Sequence, residues 1–248
     1  MHQVLQALLS AGADGAPALS APGRQALSFA RLRVLIADTL AALNGIGIGR
    51  NDRVAIVLPN GAEMASCFIA CASGVASAPL NPAYRADEFE FYLADLNAKA
   101  LIVEHGSTSP AVAVAKKAGL RIIELLAQQD AGAGSFTLKV GAGLGTGTGT
   151  GIGIGIGIGI GIGIGTATRT AAINGGYAEP DDVSMVLHTS GTTSRPKIVP
   201  LSQRNLAASA QNIRDTLRLQ ADDCGLNIMP LFHIHGLIAG VMAPLAAG

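Results

Sequence analysis

Strands alternating with helices between Arg53 and Leu125 predict an α/β protein with a largely parallel sheet flanked by helices. Short runs rich in Val, Ile and Leu are separated by stretches with helical spacing, and Gly, Pro or a capping residue stands at most boundaries. With 248 residues, 49% of them hydrophobic, the chain is long enough to bury a sizeable core in one or two domains.

The elements follow in order. Val4, Leu5, Leu8 and Leu9 make a short apolar patch, and an Ala/Gly/Pro-rich loop runs on to residue 25. Ser28 reads as the N-cap of a helix over about Phe29–Leu43, because Leu32, Leu35, Ile36, Leu40 and Leu43 fall on one face. Gly45, Gly47 and Gly49 end it. Arg53–Leu58 is a buried strand. Asn60, with Glu63 three residues on, matches a capping pattern and opens a helix over about Gly61–Gly74. Ala76–Leu80 is a strand stopped by Asn81-Pro82. Phe89, Tyr92, Leu93 and Leu96 place a helix over Ala86–Leu96, followed by strand Lys99–Val103, helix Pro110–Ala118 and strand Arg121–Leu125.

The composition then breaks. Residues 141–166 are nearly pure Gly-X, passing from Gly-Thr units into seven consecutive Gly-Ile units between Gly151 and Ile164. Half of that stretch is glycine, so ordering it as a helix carries a large entropic penalty. Extended, it would set every isoleucine on one face, which is an aggregation hazard and not a site. The tract also lacks the G-x-G-x-x-G pattern after a strand, which argues against dinucleotide binding. It reads as a low-complexity replacement of a variable surface connection. The expected organisation is therefore an α/β part over 1–140, a Gly-rich linker over 141–176, and the start of a second part over 177–248. Within that last part, Asp181-Asp182-Val183 re-enters structured chain. Ser202 caps a helix over about Gln203–Leu219 with Leu206, Ile213 and Leu217 inward, and Asn227–Leu231 reads as a strand.

Charge and composition narrow the function classes. Seventeen basic and seventeen acidic residues balance to a formal net charge of zero, which argues against a nucleic-acid or charged-membrane partner. No Trp and three Tyr leave little stacking platform for single strands. No run of eighteen large apolar residues predicts a membrane span, and the N-terminus lacks a secretory pattern. Cys67, Cys71 and Cys224 show no metal-ligand spacing, and Cys67 and Cys71, four apart in an apolar helical run, read as reduced core residues, so a cytoplasmic location is expected.

One stretch carries chemistry. Thr189, Ser190, Gly191, Thr192, Thr193 and Lys197 lie in Leu187–Lys197, between the apolar residues Val183, Met185 and Val186 and the apolar residues Ile198, Val199 and Leu201. That context reads as a loop between two strands. The hydroxyls offer donors, Gly191 lets backbone N–H groups approach an anion, and Lys197 adds a compact positive charge, so the loop suits phosphate. It is not a Walker A loop, since Pro196 precedes Lys197 and Ile198 follows it. A second candidate is Met229–Gly236, in which Phe232, His233 and His235 would be delivered by a strand end. His188 reads as strand packing, and His2 and His105 carry no signal.

Thr189–Lys197 resembles the signature loop of the adenylate-forming superfamily, T-S-G-T-T-G-x-P-K-G, with Ser194 and Ile198 standing where glycines are usual. Ser194-Arg195-Pro196-Lys197 resembles the branch containing oxalyl-CoA synthetases and 4-coumarate-CoA ligase-like enzymes. Asp52–Ile56 and Pro79–Tyr84 are similar to the superfamily's usual N-terminal strand and post-strand loop, and Pro230–Gly236 resembles its P-x-F-H-x-x-G motif.

The resemblance implies the N-terminal portion of the superfamily's large domain. It also implies the chemistry: a carboxylate and ATP form an acyl-adenylate and pyrophosphate, and the acyl group then passes to coenzyme A, with Mg2+ as metal. Thr189–Thr193 and Lys197 would hold phosphate, while His233, Phe232 and His235 would line the acid pocket. His235 hints at a small polar acid. The superfamily's Y-G-x-T-E and T-G-D motifs, and its C-terminal domain with the catalytic lysine, are not among these 248 residues. The expectation is therefore a piece inactive by itself, whose longer form would be peroxisomal if its C-terminus carried such a signal. Two other readings are a non-catalytic nucleotide-binding fragment and an adenylation domain loading a carrier protein.

Overall fold

The computed structural model describes residues 2–140, 152–154, 171–189 and 196–248. In chain order the elements are α1 (Leu5–Leu8), β1 (Pro17–Leu19), β2 (Leu27–Ser28), α2 (Phe29–Asn44), β3 (Arg53–Val57), α3 (Ala62–Ala72), β4 (Ala76–Pro79), α4 (Ala86–Asp95), β5 (Ala100–Glu104), α5 (Pro110–Lys117), β6 (Arg121–Ala127), β7 (Phe136–Val140) and β8 (Ile152–Ile154). After the glycine-rich tract come β9 (Val183–Thr189), β10 (Lys197–Ser202), α6 (Gln203–Leu217) and α7 (Ile234–Leu237).

The main sheet has the order β10-β9-β4-β3-β5-β6-β7-β8. β9, β4, β3, β5 and β6 run parallel, and β10, β7 and β8 add antiparallel edges. β1 and β2 pair separately. The α/β expectation with a mostly parallel sheet holds. The parallel strands are apolar along nearly their whole length because helices cover both faces, as in Val54–Val57 and Leu101–Val103, all buried. One face carries α2, α3, α6 and the chain after Leu231 over a core that includes Ile56, Phe68 and Met185. The other carries α4 and α5 over Val57, Phe89, Leu93 and Val186.

Local signals were read correctly where they are strongest. Ser28 caps α2, its hydroxyl accepting from the Arg31 N–H, and Ser202 caps α6 through the Asn205 N–H. Ser109 caps α5, with Pro110 at the first helical position. In α3 the residues Met64–Ala72 are all buried, which suits a helix packed between α2 and the sheet. Cys67 and Cys71 lie within it, and their mutual contact together with burial raises the Cys67 thiol pKa well above its ordinary value. It is held as a thiol.

Three expectations are corrected, and one strand was not foreseen. Asn60 does not cap α3; Gly61 stands at that position, while the Asn60 carboxamide reaches the far side of the sequence and Glu63 pairs with Arg24. Asn227–Leu231 is not a strand. Pro230 has no N–H, Met229 N–H is taken by Asn227 Oδ1 at 3.0 Å and Leu231 N–H by Asn60 Oδ1 at 2.9 Å, so these donors go to side chains and not to a ladder. Leu217 does not face inward but is 63% exposed, because the last turn of α6 outruns the elements packed on that helix. β7, hydrogen-bonded to β6 from Ile123↔Val140 to Ala127↔Phe136, went unread.

Of the repeat, only Ile152–Ile154 is described, as a strand beside β7; the expectations for the rest of 141–166 lie outside the described residues. Beyond it the chain is tied to the end of α2 and to the connection that precedes β3. Ala172 N–H donates to Asn44 O, Arg50 N–H to Asn174 O, and Gly176 N–H to Asn44 Oδ1.

Candidate functional site

β9 is positioned from below by a reciprocal pair. Asn51 Nδ2 donates to Asp182 Oδ1 at 2.7 Å, and Val183 N–H donates to Asn51 Oδ1 at 2.7 Å. Behind the strand, the buried Gln203 accepts from Leu5 N–H at 3.0 Å and donates to Ser184 Oγ at 3.1 Å and to Ala72 O. Ser184 Oγ donates to the same Ala72 carbonyl at 2.8 Å. One carboxamide thus joins α1, α3, β9 and α6. Gln203→Leu strips these partners inside the core and is expected to cost about 2–4 kcal/mol, read as a shift of the urea midpoint.

From Met185 onward β9 alternates cleanly across the sheet. Met185 and Leu187 pack on the α2/α3 face, whereas Val186 packs on the α4/α5 face. By the same alternation Thr189 projects on the α2/α3 face and His188 on the other. β10 pairs with β9 so that Lys197 is the cross-strand partner of Thr189. Partners of this kind lie side by side, with Cβ atoms roughly 5 Å apart. A hydroxyl and an ammonium group, both exposed, therefore stand together at the stem of the hairpin. Ser190, Gly191, Thr192 and Thr193 lie outside the described residues.

The stem also stands at a particular edge. In register, Met185 lies beside Ser77 of β4, so Thr189 extends past the end of that strand at Pro79, at the carboxyl end of the parallel strands. Open α/β sheets bind ligands there.

The second candidate arrives at the same edge by a different route. Asn60 follows β3 at its carboxyl end, and its carboxamide holds Leu231, which is buried. Phe232 is half-buried, its ring 4.6 Å from that of His233. His233 is exposed and stands at the N-cap position of α7, and His235 is exposed within α7. The chain from Leu231 to Ala246 packs on the α2/α3 face. The turn that carries Phe232 and His233 thereby starts, at Leu231, from the same face and the same carboxyl edge as Thr189 and Lys197. Asn60 is the residue that sequence reasoning missed. Its capping pattern concealed a contact 171 positions away, and no local signal reveals that.

The turn carrying His233 closes on Gly236. A Cβ there would lie 2.4 Å from the Pro230 carbonyl oxygen, well inside contact distance, and the obstacle is backbone. Gly236→Ala is expected to displace the 230–236 turn and cost about 1–3 kcal/mol, with the largest chemical-shift changes at His233 and Leu231 in an amide spectrum. Among the described residues no group of three or more His, Cys, Asp or Glu is arranged to hold a metal ion, and no helix is long and apolar enough to cross a membrane.

Residues 10–248 match the AMP-binding enzyme family. The chain is 38% identical over 232 residues to the "Probable CoA ligase CCL9" of Humulus lupulus, covering 93% of this chain and 40% of that protein. It is 37% identical over 233 residues to the oxalate–CoA ligase of Arabidopsis thaliana, with the same coverages. The chain therefore spans about two fifths of the length of these relatives. Its fold superposes on apo MatB from Rhodopseudomonas palustris with a TM-score of 0.72 at 22% identity, covering 100% of this chain and 44% of that one. With a family match across nearly its whole length and relatives 37–38% identical over 93% of it, this chain belongs to the AMP-binding enzyme family.

Proposed function

We propose that these residues are the phosphate-anchoring portion of an ATP-dependent acyl-CoA synthetase acting on a small carboxylic acid. The observation that carries this reading is the Thr189/Lys197 cross-strand pair at the mouth of the signature loop. It is supported by 37% identity to an oxalate–CoA ligase across 93% of the chain.

In the proposed reaction a carboxylate oxygen attacks the α-phosphorus of ATP, the bond to the β-phosphate bridging oxygen breaks, and pyrophosphate leaves. The coenzyme A thiolate then attacks the acyl carbon and AMP departs. Lys197 and the hydroxyls of Thr189, Ser190, Thr192 and Thr193, with the Gly191 backbone, hold the departing pyrophosphate as its charge develops. Mg2+ bound to the phosphates would offset part of that charge. Phe232 and His233 face the acid, and the exposed His235 favours a small polar one, of which oxalate is an example. Cysteine usage supports a reducing compartment, the cytoplasm or, given a signal, the peroxisome.

The adenine- and ribose-binding motifs of the family do not occur within these 248 residues. That favours a second reading of this stretch alone, phosphate binding without turnover. Titration of the 248-residue chain with Mg2+–pyrophosphate, beside an ATP–pyrophosphate exchange assay with oxalate, separates the possibilities. Saturable pyrophosphate binding without exchange is the expected result. Exchange above the Lys197→Ala background would show that the stretch adenylates unaided, and absence of any pyrophosphate binding would sink the phosphate reading.

A further inference from the structure

His188 packs, as its place in the strand predicts, but it also does something that packing does not require. Its side chain is 5% exposed on the α4/α5 face, and its Nε2 lies 3.0 Å from Asp95 Oδ2. The ring meets Tyr92 edge-on at 4.6 Å and lies 6.4 Å from Phe91. Tyr92 in turn stacks on Tyr84 at 4.7 Å, in the loop that leaves β4. Asp95 lies three residues after Tyr92 and four after Phe91 on α4, so the last turns of that helix grip the imidazole.

Two features show that the grip is polar in purpose. Asp95 is the last residue of α4, and its carboxylate oxygen meets the ring nitrogen at hydrogen-bond distance. The other ring nitrogen, Nδ1, is buried with no partner among the described residues. A buried orphan of that kind destabilises, and a phenyl ring at position 188 would fill the same space without it. The imidazole is explained by its bond to Asp95.

We propose that His188 is a positioning residue for the phosphate loop. Through Asp95 it clamps the last turn of α4 to β9 one residue before Thr189, and so holds the hairpin stem on which Thr189 and Lys197 are paired. The clamp acts from the face opposite to those two side chains, so it fixes the backbone without entering the phosphate site. This rests on the phosphate reading above, and its test contains a measurement that needs no ligand.

The experiment compares wild type with Asp95→Asn, His188→Phe and His188→Gln, the last keeping a side-chain N–H donor toward Asp95. Native-state amide exchange is measured at residues 187–189 and 197–199 and, as an internal reference, at β3 and β5. Mg2+–pyrophosphate affinity is measured in parallel. The expected result is exchange about tenfold faster at the hairpin stem in Asp95→Asn and His188→Phe, with the β3 and β5 amides unchanged, pyrophosphate bound several-fold more weakly, and partial rescue in His188→Gln. Unchanged stem exchange in both clamp variants overturns the proposal whether or not ligand binds. Acceleration spread evenly over all strands overturns it as well, because that is general destabilisation. Faster stem exchange with no pyrophosphate bound by wild type would leave the clamp in place, and would overturn the phosphate reading and the functional part of this proposal with it.

Discussion

Replacing Lys197 by alanine is expected to weaken Mg2+–pyrophosphate binding by roughly ten- to a hundredfold without lowering the melting temperature. A hydrogen bond to a charged group contributes about 1.5–3 kcal/mol, and the upper end of that range corresponds to about a hundredfold in affinity. The residue is exposed at the first position of β10, so truncation removes a charge and no packing. Its backbone stays in register opposite Thr189 whatever side chain it carries. Because the ammonium group faces solvent, the wild-type affinity should fall with added salt, and the difference between wild type and variant should shrink with it. Lys197→Arg is expected to recover part of the affinity, since the charge survives while the planar fork differs in reach from a point charge. Titration calorimetry at two ionic strengths reads all three effects. Binding of Lys197→Ala within twofold of wild type would mean that the anion is held elsewhere.

Truncating Phe68 to alanine is expected to cost about 3–5 kcal/mol, the usual range for a phenyl ring removed from a close-packed core. Phe68 is fully buried at the middle of α3, and the residues from Met64 to Ala72 around it are buried too. α3 is held between α2 and the sheet, so the neighbours on both sides have little freedom to collapse into the space. Set against a typical total of about 5–15 kcal/mol, the loss is a large fraction of the stability of the fold. Urea denaturation should show the midpoint falling with little change in slope. Phe91→Ala is the matched control, since that ring is 37% exposed and should cost far less. A small effect at Phe68 would mean that the core around α3 relaxes more than its burial implies. The site would also feel this loss, because α3 begins just after Asn60, whose carboxamide holds Leu231.

The legible parts of this chain share one property: their signals are local. Ser28, Ser109 and Ser202 cap helices through N–H groups two or three residues on, which any unfolded segment with the same residues would favour. The apolar runs at Arg53–Val57 and Ala100–Glu104 are strands because both faces of the sheet are covered and nothing polar interrupts them. The signature loop announced itself by its order of hydroxyls, glycine, proline and lysine, and the strands on either side of it are where the flanking apolar residues put them.

What failed to show in the sequence depends on groups brought together from far apart. Asn60 and Glu63 spell a capping pair, yet the first binds Leu231 and the second pairs with Arg24. Asn227–Leu231 has the composition of a strand, but its donors are spent on two asparagine side chains. His188 looked like packing until α4 supplied Asp95 and Tyr92 from 93 and 96 positions earlier.

The sequence by itself therefore determined the α/β class and the family resemblance, because each rests on residue types at short, fixed spacing. The tertiary structure alone decided three things. Thr189 and Lys197 face one side of the sheet while His188 meets Asp95 on the other; Leu231, just before Phe232 and His233, reaches the same carboxyl edge; and Asn60 holds Leu231 there. Those outcomes follow from strand register and from hydrogen-bond partners separated by most of the chain, and a capping rule or a hydrophobic period carries no information about either.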